Sequence, residues 1–155
     1  MQPAVRGATT VRAVREESVC GQEMGIIRLG NSHLAAWSEA LLPLRERIRA
    51  KHGWTDKCVV LNVCRFHAAE RCYKGVDRYA EVAARFRQLN GQLADSVVFL
   101  LCGKGTKEDV AEVQASGIET RANVSDEELI AIYAAADMYV NFSQWEGYNL
   151  GIGQA

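Results

Sequence analysis

The sequence predicts an α/β fold, a Rossmann-like doubly wound parallel sheet. From residue 58 onward, short apolar runs alternate with amphipathic segments, which is the pattern of parallel strands joined by helical crossovers. The first two runs are apolar at nearly every position, as expected for central strands covered by helices on both faces. Ligands bind such sheets beyond the carboxyl ends of the strands, so we expect the functional side chains just after each run.

The expected strands lie at 58–65, 96–103, 118–124 and 137–143. The expected helices between them lie at 76–89, 107–116 and 125–136. Ser125 and Glu128 have the spacing of a capping box, in which a hydroxyl and a carboxylate bind the free amides at a helix start. This spacing marks the beginning of the last of these helices.

A further helical pattern precedes the first strand and runs from Leu34 to His52. Pro43 is expected to divide it, because a proline inside a helix loses a hydrogen bond and clashes with the preceding turn. Gly53 follows the basic end of the pattern, and we expect it to end the helix in a left-handed conformation.

Length and composition restrict the domain organisation. A chain of 155 residues with 48% apolar content is expected to form one core rather than two full domains. Residues 1–33 show little apolar periodicity, and we expect a poorly ordered or linker-like segment there. Residues 34–155 are expected to form part of a Rossmann-like domain, truncated at the carboxyl terminus.

Charge and cysteine usage narrow the classes of partner. The formal net charge of −1 produces no strong field for nucleic acid or an anionic membrane, and no run of about 18 apolar residues predicts a transmembrane segment. The five cysteines are an odd number without a CxxC pair, which indicates a reducing, cytoplasmic location. No acidic cluster predicts a metal site.

The loop after the first strand, RFHAAERCYKG, carries two candidate ligand cations. Arg65 leaves the strand and Lys74 stands just before the next helix, where a pair of cations can clamp a diphosphate. The alternative is that both are solvated loop charges. His67 lies in the same loop, either as a ligand contact or without a chemical role. Lys104, in the CGKG turn after the second strand, adds a candidate phosphate contact.

The final stretch, SQWEGYNLGIGQA, is the most specific. It follows an apolar strand directly, so Glu146 is presented at the ligand face. The amides of Gly147, Tyr148, Asn149 and Leu150 open a helix whose dipole favours an anion. A carboxylate beside such amides suits a ligand with both hydroxyl and phosphate groups. The alternative is a helix-start glutamate that only complements the dipole.

In order, these segments resemble the group 1 (family 4) retaining glycosyltransferases. SQWEGYNLGIGQA is similar to their S-x-x-E-G-F-G-L-x-x-x-E-A segment, SDEELIAIYAAADMYV to the preceding helix and strand, and VVLNVCRFHAAERCYKGVDRYAEVAARF to their strand, arginine-lysine-glycine loop and helix. The resemblance covers about two thirds of the chain, from residue 58 to 155. It implies the donor-binding, carboxyl-terminal domain of the two-domain GT-B architecture.

The resemblance also implies roles. Arg65 and Lys74 would bind the diphosphate of a nucleoside diphosphate sugar, Glu146 would contact the transferred sugar, and the backbone at 147–150 would lie against sugar and phosphate, with no metal or other cofactor. A second glutamate of the family, which holds the nucleotide ribose, corresponds here to Gln154. Glutamine accepts one hydrogen bond but brings no charge, and the loop from Arg65 to Lys74 is longer than usual.

The sequence therefore leaves two alternative functions open. The first is the nucleotide-sugar-binding portion of a retaining glycosyltransferase, which transfers a sugar to an acceptor hydroxyl. The second is a non-catalytic nucleotide-binding module that acts with a partner chain, which Gln154 favours. The resemblance further implies a fragment without its acceptor-binding domain, inactive alone and prone to self-association through strand 137–143.

Overall fold

The computed structural model describes residues 14–15, 25–26 and 41–146. The chain divides into two compact units, Met1–His33 and Leu34–Ala155. In the first unit, β1 (Val14–Arg15) pairs antiparallel with β2 (Gly25–Ile26). The remaining description concerns the second unit.

The second unit alternates helices and strands along the chain. In order they are α1 (Leu42–His52), β3 (Cys58–Val63), α2 (Arg71–Lys74), α3 (Val76–Leu89), a 3-10 segment (Gly91–Ser96), β4 (Val97–Gly103), α4 (Lys107–Ala115), β5 (Glu119–Ala122), α5 (Asp126–Ala135) and β6 (Met138–Tyr139). The three helices predicted between the strands are present, with ends that differ from the predicted ones by at most one residue.

The four strands β3 to β6 form one sheet in the order β5-β4-β3-β6, and every neighbouring pair is parallel. The α/β, parallel-sheet prediction is confirmed. β3 and β4 occupy the centre and are buried along most of their length. This placement explains why their sequences are apolar at successive positions rather than at alternate ones.

Two apolar layers cover the sheet. Successive residues of a strand point to opposite faces, so Val60 and Leu101 pack with Tyr79 of α3 and Val113 of α4. The other face has its own cluster, formed by Trp54, Val59, Leu61, Leu100, Cys102, Ile132 and Ala135. Each fully buried aliphatic side chain contributes about 1.5–3 kcal/mol by leaving water. Helices on both faces make the sheet doubly wound.

Pro43 lies at the beginning of a helix. α1 begins at Leu42, and Pro43 lies in its first turn. Proline suits this place, because the first helical amides have no partner within the helix. The segment 34–40 of the predicted helix lies outside the described residues. Gly53 does end α1 in a left-handed conformation, with φ of 71°.

The strand predicted at 137–143 is too long, because β6 covers only Met138–Tyr139. The Val140 amide still donates to Leu61 O at 2.8 Å, and the Gln144 amide then donates to Tyr73 O at 2.8 Å. The chain therefore leaves the sheet after Val140 and binds the loop that follows β3.

A groove of about 290 Å³ runs between α3 and β6. Its lining is apolar and includes Tyr79, Phe86, Met138 and Phe142. Met138 is exposed. Self-association through 137–143 stays a prediction.

Candidate functional site

The sheet reverses its strand order between β3 and β6. From β3 the chain proceeds to β4 and β5 on one side, and α5 then returns it to β6 on the other side of β3. Ligands of parallel sheets bind beyond the carboxyl ends of the strands at such a switch point, and we call this region of the chain the crevice. The segments that leave the carboxyl ends of β3 and β6, 64–75 and 140–146, carry three of the sequence-predicted site residues.

Gly75 allows the two segments to approach each other closely. Its φ is 71°, and a Cβ atom at this position would lie 2.1 Å from the backbone oxygen of Phe142. Any other residue would be strained by the positive φ and would also push the two segments apart. The Gln144 amide adds a hydrogen bond to Tyr73 O. The sequence KG at 74–75 therefore fixes Lys74 beside the chain that follows β6.

Lys74 and Glu146 form an ion pair across the crevice. Nζ of Lys74 lies 2.8 Å from Oε1 of Glu146, although 72 residues separate them in sequence. The two side chains are 13% and 27% exposed. Partial burial raises the pKa of Glu146, but the hydrogen bond from Lys74 and the charges of Lys74 and Arg65 outweigh it, so the pKa lies below its ordinary value. Glu146 is therefore a carboxylate at neutral pH.

Arg65 pairs with a different carboxylate. Its guanidinium lies 3.0 Å from Oε1 of Glu70, and the Tyr73 hydroxyl donates to the same oxygen at 2.8 Å. Arg65 is 59% exposed, whereas Glu70 is 17% exposed. The charge of Arg65 nevertheless acts on Glu146, since it lowers the pKa of that carboxyl group. Each of the two predicted cations thus has its own acid, and their action on a common ligand stays a prediction.

Asp109 anchors the loop that carries these groups. The carboxylate is buried and accepts hydrogen bonds from the amides of Ala68 and Thr106, at 3.0 and 2.8 Å. The guanidinium of Arg71 donates to it at 3.0 Å, and Nδ1 of His67 lies 3.2 Å away. These bonds, first those from Thr106 and then that from Arg71, hold the pKa of Asp109 well below its usual range.

The contact with Asp109 indicates a structural role for His67. One ring nitrogen faces Asp109, so the histidine helps to tie the loop to the start of α4. The sequence analysis does not identify Asp109, Arg71 or Glu70. Thr106 and Asp109 do form a complete capping box at α4, and their T-x-x-D spacing is the signal that predicts one. No spacing rule indicates that the capping carboxylate also binds a second loop.

Two cysteines, one half-buried and one buried, lie near the carboxyl ends of β3 and β4. Burial raises the pKa of the Cys64 thiol to about 12, and burial also raises that of Cys102 to about 12. Both groups are therefore protonated at neutral pH and nucleophilically inert.

Trp145, which precedes Glu146 in sequence, is 77% exposed and offers an aromatic surface to a ligand.

Several predicted groups lie beyond the described part of the chain. These are the backbone at 147–150 and the side chain of Gln154. Lys104 is exposed, and its carbonyl accepts a hydrogen bond from the Phe66 amide. Within the described residues, no group of three or more histidine, cysteine, aspartate or glutamate side chains is arranged to hold a metal ion.

None of the described helices is long and apolar enough to cross a membrane. Comparison of the chain with models of known protein families and with curated proteins gives no match.

Proposed function

We propose that this chain is the nucleotide-sugar-binding portion of a retaining glycosyltransferase, which transfers a sugar from a nucleoside diphosphate to an acceptor hydroxyl. The observation that carries the proposal is the Lys74–Glu146 contact of 2.8 Å at the switch point of the sheet. A cation suits the phosphates of such a donor, and a carboxylate suits the hydroxyls of its sugar. The resemblance of residues 58–155 to these enzymes supports the same assignment.

Lys74 and Arg65 act on the leaving group. When the bond between the anomeric carbon and the diphosphate breaks, the diphosphate keeps the bonding electrons, and the two cations stabilise the negative charge that develops on it. The acceptor oxygen joins the anomeric carbon on the face that the diphosphate leaves, and the proton of the acceptor hydroxyl passes to an oxygen of the departing diphosphate. Glu146 orients the sugar by accepting hydrogen bonds from its hydroxyls.

The other predicted contacts complete the donor site. The amides of Gly147, Tyr148, Asn149 and Leu150 are proposed to meet sugar and phosphate, and Gln154 is proposed to meet the ribose. No metal or further cofactor is required of these residues in this scheme. We propose a cytoplasmic location, where nucleotide sugars are used and thiols such as Cys58 and Cys72 stay reduced.

Calorimetry on the full chain tests the proposal. We expect binding of nucleoside diphosphates and nucleotide sugars and none of NAD(H), with tighter binding of at least one nucleotide sugar than of its nucleoside diphosphate, because only the sugar engages Glu146. The control is Glu146→Gln, which should remove that preference and leave the diphosphate affinity within about threefold. A chain that binds no nucleotide of either class would refute the donor-site assignment.

The alternative is a non-catalytic nucleotide-binding module that acts with a partner chain. It is favoured by the uncharged Gln154 and by the pairing of both site cations with the protein's own acids. The dependence of affinity on the sugar separates the two. A preference for a nucleotide sugar over its nucleoside diphosphate that Glu146→Gln removes supports the transferase, whereas equal affinities for the two ligands support the module.

A further inference from the structure

Glu70 occupies a position that the diphosphate is proposed to use. Its Oε1 atom lies 3.0 Å from the Arg65 guanidinium, so the cation proposed to bind the ligand is already neutralised within its own loop. The same oxygen accepts the Tyr73 hydroxyl at 2.8 Å. The formal charges of Arg65, Lys74, Glu70 and Glu146 cancel, and an anion therefore meets a site without net charge.

The backbone keeps Glu70 at this place. Its amide donates to His67 O at 2.7 Å, and its carbonyl accepts the Lys74 amide at 2.9 Å. Its side chain is 17% exposed, whereas that of Arg65 is 59% exposed. The acid is thus the fixed member of the pair and the guanidinium is the member that extends into solvent. Arg65 can turn from Glu70 to a ligand without any movement of the backbone.

We propose that Glu70 is an internal competitor for Arg65, which sets the affinity of the crevice for the diphosphate group. The proposal rests on the proposed function, since it concerns the same diphosphate. Binding exchanges the Arg65–Glu70 pair for an Arg65–phosphate pair, and Glu70 keeps the Tyr73 hydroxyl as its partner. The free energy needed to break the Arg65–Glu70 pair weakens ligand binding by the same amount.

The expected size of this effect follows from exposure. An ion pair that is open to solvent contributes little, because water and salt screen both charges. Glu70→Gln keeps an oxygen for the Tyr73 hydroxyl and removes the charge. We expect it to tighten the binding of inorganic pyrophosphate by about two- to fivefold, the range for exposed ion pairs.

The experiment uses calorimetry with inorganic pyrophosphate on the full-length wild type, Glu70→Gln, Arg65→Gln and the double variant. Glu112→Gln is the matched control, because Glu112 pairs with Arg71 of the same loop and its replacement removes the same charge. We expect tighter binding in Glu70→Gln alone. In the Arg65→Gln background, the Glu70 substitution should change the affinity by less than about 1.5-fold, as the competition has been removed.

The outcomes separate this inference from the proposed function. Pyrophosphate binding that is equal in wild type and Glu70→Gln, or raised to the same degree in Glu112→Gln, overturns the inference alone. Tighter pyrophosphate binding in Glu70→Gln without any binding of nucleoside diphosphates supports the inference and overturns the proposed donor site. A lack of pyrophosphate binding in every variant, with melting temperatures that show folded protein, overturns both.

Discussion

The two ends of the neighbouring strands β3 and β6 use ion pairs in different ways. At the amino end of β6, Asp137 is bound by both Arg45 and Arg49 of α1 and accepts the Val59 amide at 2.8 Å. At the carboxyl end, Lys74 forms an ion pair with Glu146, and Arg65 forms one with Glu70 of its own loop. The first arrangement joins α1, β3 and β6, whereas the second joins the two segments that border the crevice.

The guanidinium groups of the amino end also complete the hydrogen bonding of α5. Arg45 donates to Ala134 O at 2.9 Å, and Arg49 donates to Ala135 O at 2.8 Å. Carbonyl groups at the end of a helix have no partners within it, so cations from α1 satisfy them. Arg49 is buried and donates as well to the carbonyl of Lys57. Its bonds cannot be exchanged for a ligand without loss of structure.

This difference suggests how stability and binding are divided along the sheet. A charge with several buried partners contributes to folding, and its removal leaves those partners unsatisfied. A charge with a single acidic partner adds less to folding and can exchange that partner for a ligand. Replacements at the two ends should therefore alter different measured quantities.

The largest expected effect is on stability, from Arg49→Ala. The substitution leaves Asp137 with one guanidinium and leaves carbonyl groups without donors, so we expect the free energy of unfolding to fall by about 3 kcal/mol. Urea unfolding followed by circular dichroism measures it. Arg47→Ala is the matched control, because Arg47 is exposed on the same helix. A loss below about 1 kcal/mol would show that the network is as dispensable as a surface pair.

Next in size is the effect of Lys74→Met on ligand affinity. A hydrogen bond to a charged group contributes about 1.5–3 kcal/mol, so the affinity for a nucleoside diphosphate should fall by at least about tenfold. Calorimetry measures the change, and Lys107→Met, an exposed cation at the start of α4, serves as the control. An unchanged affinity would mean that Lys74 does not bind the ligand and is a loop charge that pairs with Glu146 alone.

The contrast between the two ends also shows what sequence can predict. Periodicity identified α3, α4 and α5 to within one residue at each end, and Gly53 marked a helix end that requires positive φ. The loop partners were not predictable in this way. The Asp109 contact with Ala68 joins residues 41 apart, and the Asp137 contact with Arg49 joins residues 88 apart. Such contacts depend on how the elements pack, which local spacing does not encode.

The extent of β6 was wrong for a related reason. The apolar run at 137–143 has strand propensity throughout, but a strand needs a partner, and β3 supplies one for two residues. Beyond Val140 the chain packs against the β3–α3 loop at Gly75 and Tyr73 instead. Tertiary contacts thus override propensity at the position where the candidate site begins.

The pH dependence of Asp137→Asn sharpens the comparison further. Partial burial raises the pKa of Asp137, but the bonds from the Val59 amide and the two arginines outweigh it, so the pKa lies below its ordinary value in the folded protein. A lowered folded pKa means that the carboxylate stabilises the fold above its ordinary pKa and loses this contribution as pH falls through the folded value.

We expect Asp137→Asn to cost about 1–2 kcal/mol at pH 7, the loss of charge-assisted hydrogen bonds. The difference from the wild type should narrow below about pH 4, where the unfolded wild-type chain begins to bind the proton. Urea unfolding at a series of pH values measures it. A difference that stays constant down to pH 2 would mean that the carboxylate charge does not contribute.

The smallest effect is expected for the ion pair that carries the proposed function. Lys74 and Glu146 are partly exposed and each has the other as its close charged partner, so their coupling in a double-mutant cycle should be about 0.5 kcal/mol of unfolding free energy. The cycle uses Lys74→Met, Glu146→Gln and the double variant, measured by urea unfolding at low and at 0.5 M salt. Because the pair is partly exposed, salt should reduce the coupling. A coupling above about 2 kcal/mol that salt leaves unchanged would place Lys74 and Glu146 with the multiply bonded network of Asp137. The crevice would then be held shut by a structural bond, and the exchange of Lys74 from carboxylate to phosphate on which ligand binding depends would be too costly to occur.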